Sequence, residues 1–210
     1  MPVRVVLGDD HTLIRQALRD LLEKRGFVVV GEAGDGQDVV RQVETNLPEV
    51  LILDVGMPVL NGIEAAREVT RRFPKTRVIL LTQHDEEQYV REALDAGVQG
   101  YVLKSQLAGD LIHAIEQASK GQVYLSPGVS RAVVQAFQTR GSRPKSVLTT
   151  RERQVLQLIA EGKSTRDVAA LLGVSQKTAE THRTRLMQKL DIHETASLVR
   201  YAIREGLTQP

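Results

Sequence analysis

Residues 51–62 read "LILDVGMPVLNG". Leu51, Ile52 and Leu53 form an unbroken apolar run of the kind found in a strand buried on both faces. The run ends on a carboxylate, Asp54, and gives way at once to Gly56, Pro58 and Gly62, all breakers of regular backbone. A lone aspartate in that place often caps a turn. The alternative is a strand that carries a reactive carboxylate to the rim of a sheet.

The flanking sequence favours a sheet. Short apolar runs alternate with amphipathic stretches over the first 120 residues. Strands are expected at 3–8, 27–33, 50–54, 78–82 and 100–103, and helices at 12–25, 37–45, 62–72, 86–96 and 108–120. In the first helix Leu13, Ala17, Leu18, Leu21 and Leu22 recur with helical spacing, and Gly26 closes it. Five strand–helix units with apolar strands imply a parallel sheet covered by helices on both faces.

Beyond Gly121 the pattern changes. A helix is expected at 129–138, followed by "TRGSRPKSV" at 139–147, a basic stretch with glycine, proline and serine. No strand is expected after it. Thr149 and Glu152 have capping-box spacing ahead of a helix containing Val155, Leu156, Leu158 and Ile159. Ser164 is placed to cap a second helix, up to 172, and Gly173-Val174 forms a tight turn. Ser175 is placed to cap a third helix, to about 190, and a last helix covers 194–206. Short helices around a glycine-containing turn make a helix-turn-helix pattern. The expected domains are therefore 1–121, a linker with a helix at 122–146, and 147–210.

Charge divides the chain in the same way. Residues 1–120 carry 14 Lys/Arg against 19 Asp/Glu, and residues 121–210 carry 14 against 7, within a formal net charge of +2. An acidic front and a basic back suggest different partners, the latter a polyanion. There is no cysteine, which excludes disulfides and thiolate metal sites. No apolar run approaches the roughly 18 residues of a membrane span. The opening residues lack a secretory signal pattern, so a cytoplasmic protein is expected.

In an open parallel sheet, ligands gather at the carboxyl ends of the strands. Those ends hold Asp9 and Asp10, then Asp54, then Thr82, then Lys104. Taken alone, Asp9 and Asp10 have the simpler reading of caps for the helix at 12. Together, converging carboxylates repel one another unless a cation joins them, and hard oxygen donors suit Mg²⁺ with room left for a phosphate oxygen. Lys104 brings a positive charge and Thr82 a hydroxyl for the same group. Asp54 is then a nucleophile forming an aspartyl-phosphate.

The motifs "GDDH", "LILDVGMPVLNG", "VILLT" and "GYVLK" resemble, in order and spacing, the receiver domain of two-component response regulators, which has a flavodoxin-like doubly wound α/β fold. That resemblance implies Asp54 as phosphoacceptor and Asp10 as a direct metal ligand. It also implies Asp9 holding the metal through water and the Gly56 carbonyl as a backbone ligand. Thr82 and Lys104 would contact the phosphoryl group, Tyr101 would change rotamer on activation, and a sensor histidine kinase would be the donor. Two positions depart from the pattern. His84, at a variable position, is expected to position or screen the attacking water. Ser105 stands where a proline often follows the lysine, which leaves the loop geometry open.

The segment from Leu148 to Ile192, "LTTRERQVLQLIAEGKSTRDVAALLGVSQKTAETHRTRLMQKLDI", continuing to "LVRYAIREGL", resembles the LuxR-type DNA-binding domain of the NarL/FixJ class. Its third helix would enter the major groove. Lys177, Arg183, Arg185 and Lys189 suit phosphates. Glu180, Thr181 and Thr184 suit base edges. The family implies dimers on an inverted repeat, with residues 194–205 as the dimer contact and half-sites about 34–36 Å apart. The expected protein is a transcription regulator switched at Asp54, a phosphoacceptor rather than an enzyme. Its rivals are a receiver that works unphosphorylated and a phosphatase with an aspartyl-phosphate intermediate.

Overall fold

The computed structural model describes residues 2–83, 85, 87–129, 133–134 and 148–208. The chain divides into two compact units.

The first unit is built on a six-stranded sheet of order β2-β1-β3-β4-β5-β6, parallel throughout. The strands are β1 (Arg4–Gly8), β2 (Val28–Ala33), β3 (Val50–Asp54), β4 (Arg77–Thr82), β5 (Gly100–Leu103) and β6 (Tyr124–Leu125). The helices between them are α1 (Thr12–Lys24), α2 (Gly36–Asn46), α3 (Gly62–Arg72), α4 (Glu87–Asp95) and α5 (Leu107–Ser119). Side chains of a strand alternate between faces, so each central strand feeds two layers. Val5, Leu7, Val50, Ile52, Ile79, Leu81 and Val102 join Leu18 and Leu22 of α1 and Leu111 and Ile115 of α5 in one core. Val6, Leu51, Leu53, Val78 and Leu80 are equally buried, as are Val39 and Val43 of α2 and Ala66 and Val69 of α3. Each large side chain buried in this way contributes about 1.5–3 kcal/mol relative to exposure. That two-sided burial explains why the central strands carry so few polar residues.

Strand order reverses at β1, which lies between β2 and β3. The carboxyl ends of β1 and β3 therefore flank the crevice where such sheets bind ligands. The strands and helices expected over residues 3–120 occur, with ends shifted by a residue or so. β6 was not expected. Two residues are too few for an alternation signal, and the strand is defined by its parallel pairing with β5. The helix expected at 129–138 and the stretch at 139–147 fall for the most part outside the described residues, as does His84. After Lys104 the chain keeps trans peptides and enters a 3₁₀ turn, Lys104–Gln106, that runs directly into α5.

The second unit holds α6 (Thr150–Ala160), α7 (Thr165–Leu171), α8 (Gln176–Leu190) and α9 (Thr195–Arg204). Val155, Leu156, Leu158, Val168, Ala169, Ala179, Leu186, Leu198 and Ala202 form its core. Thr149 and Glu152 make both bonds of the expected capping box, and Ser164 with Asp167 makes a second. Ser175 caps α8 by accepting from the Thr178 N–H. Between α7 and α8 the turn passes through Gly173 at φ +63°, a left-handed conformation that suits glycine. Arg151 donates to the Leu172 carbonyl at 2.7 Å and so ties α6 to the end of α7.

Candidate functional site

The carboxyl ends of β1, β3, β4 and β5 bring the expected residues together. Register places Gly8 beside Leu53, Asp54 beside Leu81, and Thr82 beside Leu103. Asp9, Asp10 and Asp54 each offer a carboxylate oxygen, and these atoms together with a ring nitrogen of His11 lie within 4.8 Å of one another. Asp9 and Asp54 are buried and Asp10 is exposed. The Asp54 carboxylate thus faces its acidic neighbours instead of capping an isolated turn. Asp9 accepts from the backbone N–H of His11 at 2.8 Å, while the N-cap of α1 is His11, which makes no side-chain cap bond.

Lys104 crosses to this cluster from the end of β5. Its Nζ lies 3.0 Å from Oδ2 of Asp54 and 3.1 Å from Oδ2 of Asp9. Burial pushes the Asp54 pKa above the usual carboxylate range, and the Lys104 ammonium only partly offsets it. Burial alone would lower the Lys104 pKa, but Asp54 and Asp9 outweigh it and hold the ammonium firmly charged. The Gly56 N–H donates to the Asp54 carboxylate. Thr82 and Tyr101 are both buried, at 1% exposure each.

Gly62, the last residue of the opening stretch, has a steric role. A Cβ at this position would overlap the Asp54 carbonyl oxygen and crowd the Val55 backbone. Only glycine lets the start of α3 close against the strand that carries Asp54. Its N–H bonds the Val55 carbonyl at 2.9 Å.

This clustering has a counterpart in known proteins. The family model described as "Response regulator receiver domain" matches residues 5–116, and that described as "Bacterial regulatory proteins, luxR family" matches 146–202. The transcriptional regulatory protein MctR of Rhizobium johnstonii is 38% identical over 209 residues, spanning 98% of this chain and 95% of its own. The chain belongs to the response regulators of the NarL/FixJ, LuxR-type family. Another relative is the response regulator UvrY of Escherichia coli, 34% identical over 98% of this chain and 95% of its own. A solved structure of RcsB from Salmonella enterica serovar Typhimurium bound to promoter P1flhDC, with the phosphomimetic BeF₃⁻, is similar at 28% identity. The match covers 96% of this chain and 98% of that one, with a TM-score of 0.62.

As in other receivers of this family, a cation is implied at the acidic rim. The donor set fits one: hard carboxylate oxygens at short mutual range, one of them exposed and within reach of solvent. His11 is a further member of the site, one that the sequence pattern does not single out. Its Nδ1 lies 2.8 Å from Oδ1 of Asp10 and 3.3 Å from Oδ1 of Asp9, so the ring borders the site.

In the response regulator's LuxR-type domain, α8 presents Lys177, Glu180, Thr181, Thr184 and Arg185 to solvent, opposite the buried Ala179 and Leu186. Two other expected contacts have partners within the unit. Arg183 donates to the Thr195 hydroxyl at 2.9 Å, and the Lys189 ammonium meets Oε2 of Glu152 at 2.7 Å. The Thr181 hydroxyl donates to the Lys177 carbonyl, which leaves its methyl as the outward group. In α9 Leu198 and Ala202 are buried within the unit while Ala196 is exposed. Among the described residues, no helix is long and apolar enough to cross a membrane.

Proposed function

We propose that this response regulator accepts a phosphoryl group on Asp54 from a phosphohistidine of a sensor kinase and then binds promoter DNA as a dimer. The observation that carries the reading is the Lys104 ammonium lying between Asp9 and Asp54 beside an acidic rim. An Asp54 carboxylate oxygen attacks phosphorus, the bond from phosphorus to the histidine nitrogen breaks, and the electron pair leaves with the imidazole. Lys104 and the Thr82 hydroxyl hold the phosphoryl oxygens. Asp9, Asp10, Asp54 and the Gly56 carbonyl would hold Mg²⁺, which neutralises charge on the transferring group when bound. The protein is a phosphoacceptor and not an enzyme, with at most slow loss of its own phosphate. Tyr101, one strand over from Thr82, repacks as the threonine moves toward the phosphate, and this shifts a pre-existing equilibrium.

On DNA, Lys177, Arg183, Arg185 and Lys189 are assigned to phosphates and Glu180, Thr181 and Thr184 to base edges. Arg183 and Lys189 reach phosphates only by leaving or sharing their partners, so Lys177 and Arg185 carry more of the affinity. The solved RcsB–promoter structure supports this half of the reading, as does the basic character of the second half of the chain. The protein acts in the cytoplasm, where its kinase domain partner and its promoters are accessible.

Acetyl phosphate with Mg²⁺ tests the first half, read by intact mass. Wild type should gain one phosphoryl group and keep it for many turnovers of the free donor, while Asp54→Ala gains none. No gain in wild type removes the phosphoacceptor reading, and sustained phosphate release would mark a phosphatase.

A further inference from the structure

We infer that Ser126, beyond the end of the matched receiver sequence, is a positioning residue for the phosphoryl-contacting lysine: its hydroxyl fixes the backbone of Leu103, from which Lys104 departs. This rests on the phosphoacceptor reading above. The receiver family model ends at residue 116, and Ser126 follows the two-residue strand β6. The side chain is fully buried.

The parallel ladder between β5 and β6 explains the placement. Tyr124 donates its N–H to the Gln99 carbonyl at 2.9 Å, and Ser126 donates to the Tyr101 carbonyl at 2.9 Å. A continuing ladder would take the next N–H on this edge, that of Leu103, to the Ser126 carbonyl. That carbonyl instead accepts from Val129 as the chain turns away through Pro127. The Leu103 N–H goes to the Ser126 hydroxyl, at 3.2 Å. A side chain thus substitutes for the missing rung.

The hydroxyl is itself oriented. Ser126 Oγ donates to Oδ2 of Asp110 on α5 at 2.6 Å. A serine hydroxyl has one proton and two lone pairs, so that donation leaves the oxygen as an acceptor toward Leu103. The Tyr124 hydroxyl also hydrogen-bonds Asp110. Nearby, a Cβ on Gly128 would press on Leu103 Cδ1 at 2.8 Å, so the turn after Ser126 closes on the same residue. Leu103 is therefore held from both sides, by Thr82 of β4 through the sheet register and by Ser126. Lysine is a flexible four-carbon stem, and where its ammonium falls depends on where its backbone starts. With Leu103 fixed, Nζ reaches Asp54 and Asp9 at 3.0 and 3.1 Å.

The test uses the full chain, acetyl phosphate as donor, and two readings: the rate of phosphoryl uptake at saturating Mg²⁺ and the Mg²⁺ concentration at half-saturation. The metal ligands do not touch Ser126, so the two readings separate positioning of Lys104 from loosening of the whole site. Ser126→Ala should slow uptake roughly tenfold, within what a sub-ångström displacement of a positioned group costs, and leave the Mg²⁺ midpoint unchanged. Asp110→Asn leaves the serine in place but weakens its orienting acceptor, and should slow uptake by a smaller factor. It also carries the test should Ser126→Ala fail to fold. Wild-type uptake in a folded variant overturns the proposal, as does slowed uptake with a matching shift in the Mg²⁺ midpoint. Absence of uptake in the wild type itself is a different result, because it removes the phosphoacceptor reading before Ser126 is at issue.

Discussion

Each unit buries a carboxylate against a lysine ammonium, and the two pairs behave in opposite ways. In the receiver, Asp54 meets Lys104 at 3.0 Å, yet burial wins and its pKa is raised. In the DNA-binding unit, Glu152 meets Lys189 at 2.7 Å, and its pKa is lowered. Burial is the largest single influence on Glu152 too, but Lys189 together with the Thr149 N–H and hydroxyl outweighs it. The difference lies in the donors each carboxylate has to itself. Glu152 completes a capping box, and its Oε2 accepts from the Thr149 N–H, the Thr149 hydroxyl and the Lys189 ammonium, all donors that belong to the fold. Asp54 shares its lysine with a second buried carboxylate, Asp9. One pair is a structural pin. The other holds a buried carboxylate above its ordinary pKa beside a second buried carboxylate.

The largest stability effect should come from breaking the receiver side sterically. Gly62→Ala sets a methyl group into the Asp54 carbonyl and is expected to cost about 3 kcal/mol, at the upper end for overpacking, as a lowered urea midpoint for unfolding of the receiver. Next, Glu152→Gln or Lys189→Met removes a charge-assisted bond between a buried carboxylate and a partly exposed ammonium, and should cost the helical unit about 1 kcal/mol. Mg²⁺ should not repair that loss. Lys104→Met, by contrast, leaves two buried carboxylates unbalanced, and its destabilisation should shrink when Mg²⁺ is added. Smaller still, and of opposite sign, Asp54→Asn should stabilise the receiver at neutral pH by removing a poorly solvated charge.

The pH dependence follows the same contrast. Glu152 has a folded pKa below its ordinary 4.5, so its contribution is present above pH 4.5 and fades as pH falls through the lower folded value. The folded pKa of Asp54 is raised, so its ionisation costs stability once pH climbs past 3.8, and the gain in Asp54→Asn vanishes below that. Urea midpoints of the two transitions between pH 3 and 7, for wild type and both variants, check these signs.

Much of this was legible in the sequence, because the features are local. Continuous apolar runs mark the strands, and capping residues such as Thr149, Ser164 and Ser175 mark helix starts. The acidic rim was readable because a parallel sheet puts all strand ends on one side. The pairings that depend on distant contacts were not readable. Nothing near Lys189 announces Glu152, 37 residues earlier, as its partner. Gly62 was visible as a breaker of backbone, but the approach of the Asp54 carbonyl that demands it is a tertiary fact. β6 and Ser126 escaped because two residues carry no periodicity.

The central claim is that phosphate on Asp54 controls the basic helical unit. Its most direct measurement is the affinity of the full chain for a duplex selected from a random-sequence library, with and without acetyl phosphate and Mg²⁺, at fixed salt. Wild type should bind more tightly when phosphorylated, and Asp54→Asn should show no response to the donor. Equal affinity of wild type in both states, with phosphorylation verified by mass, would contradict the account.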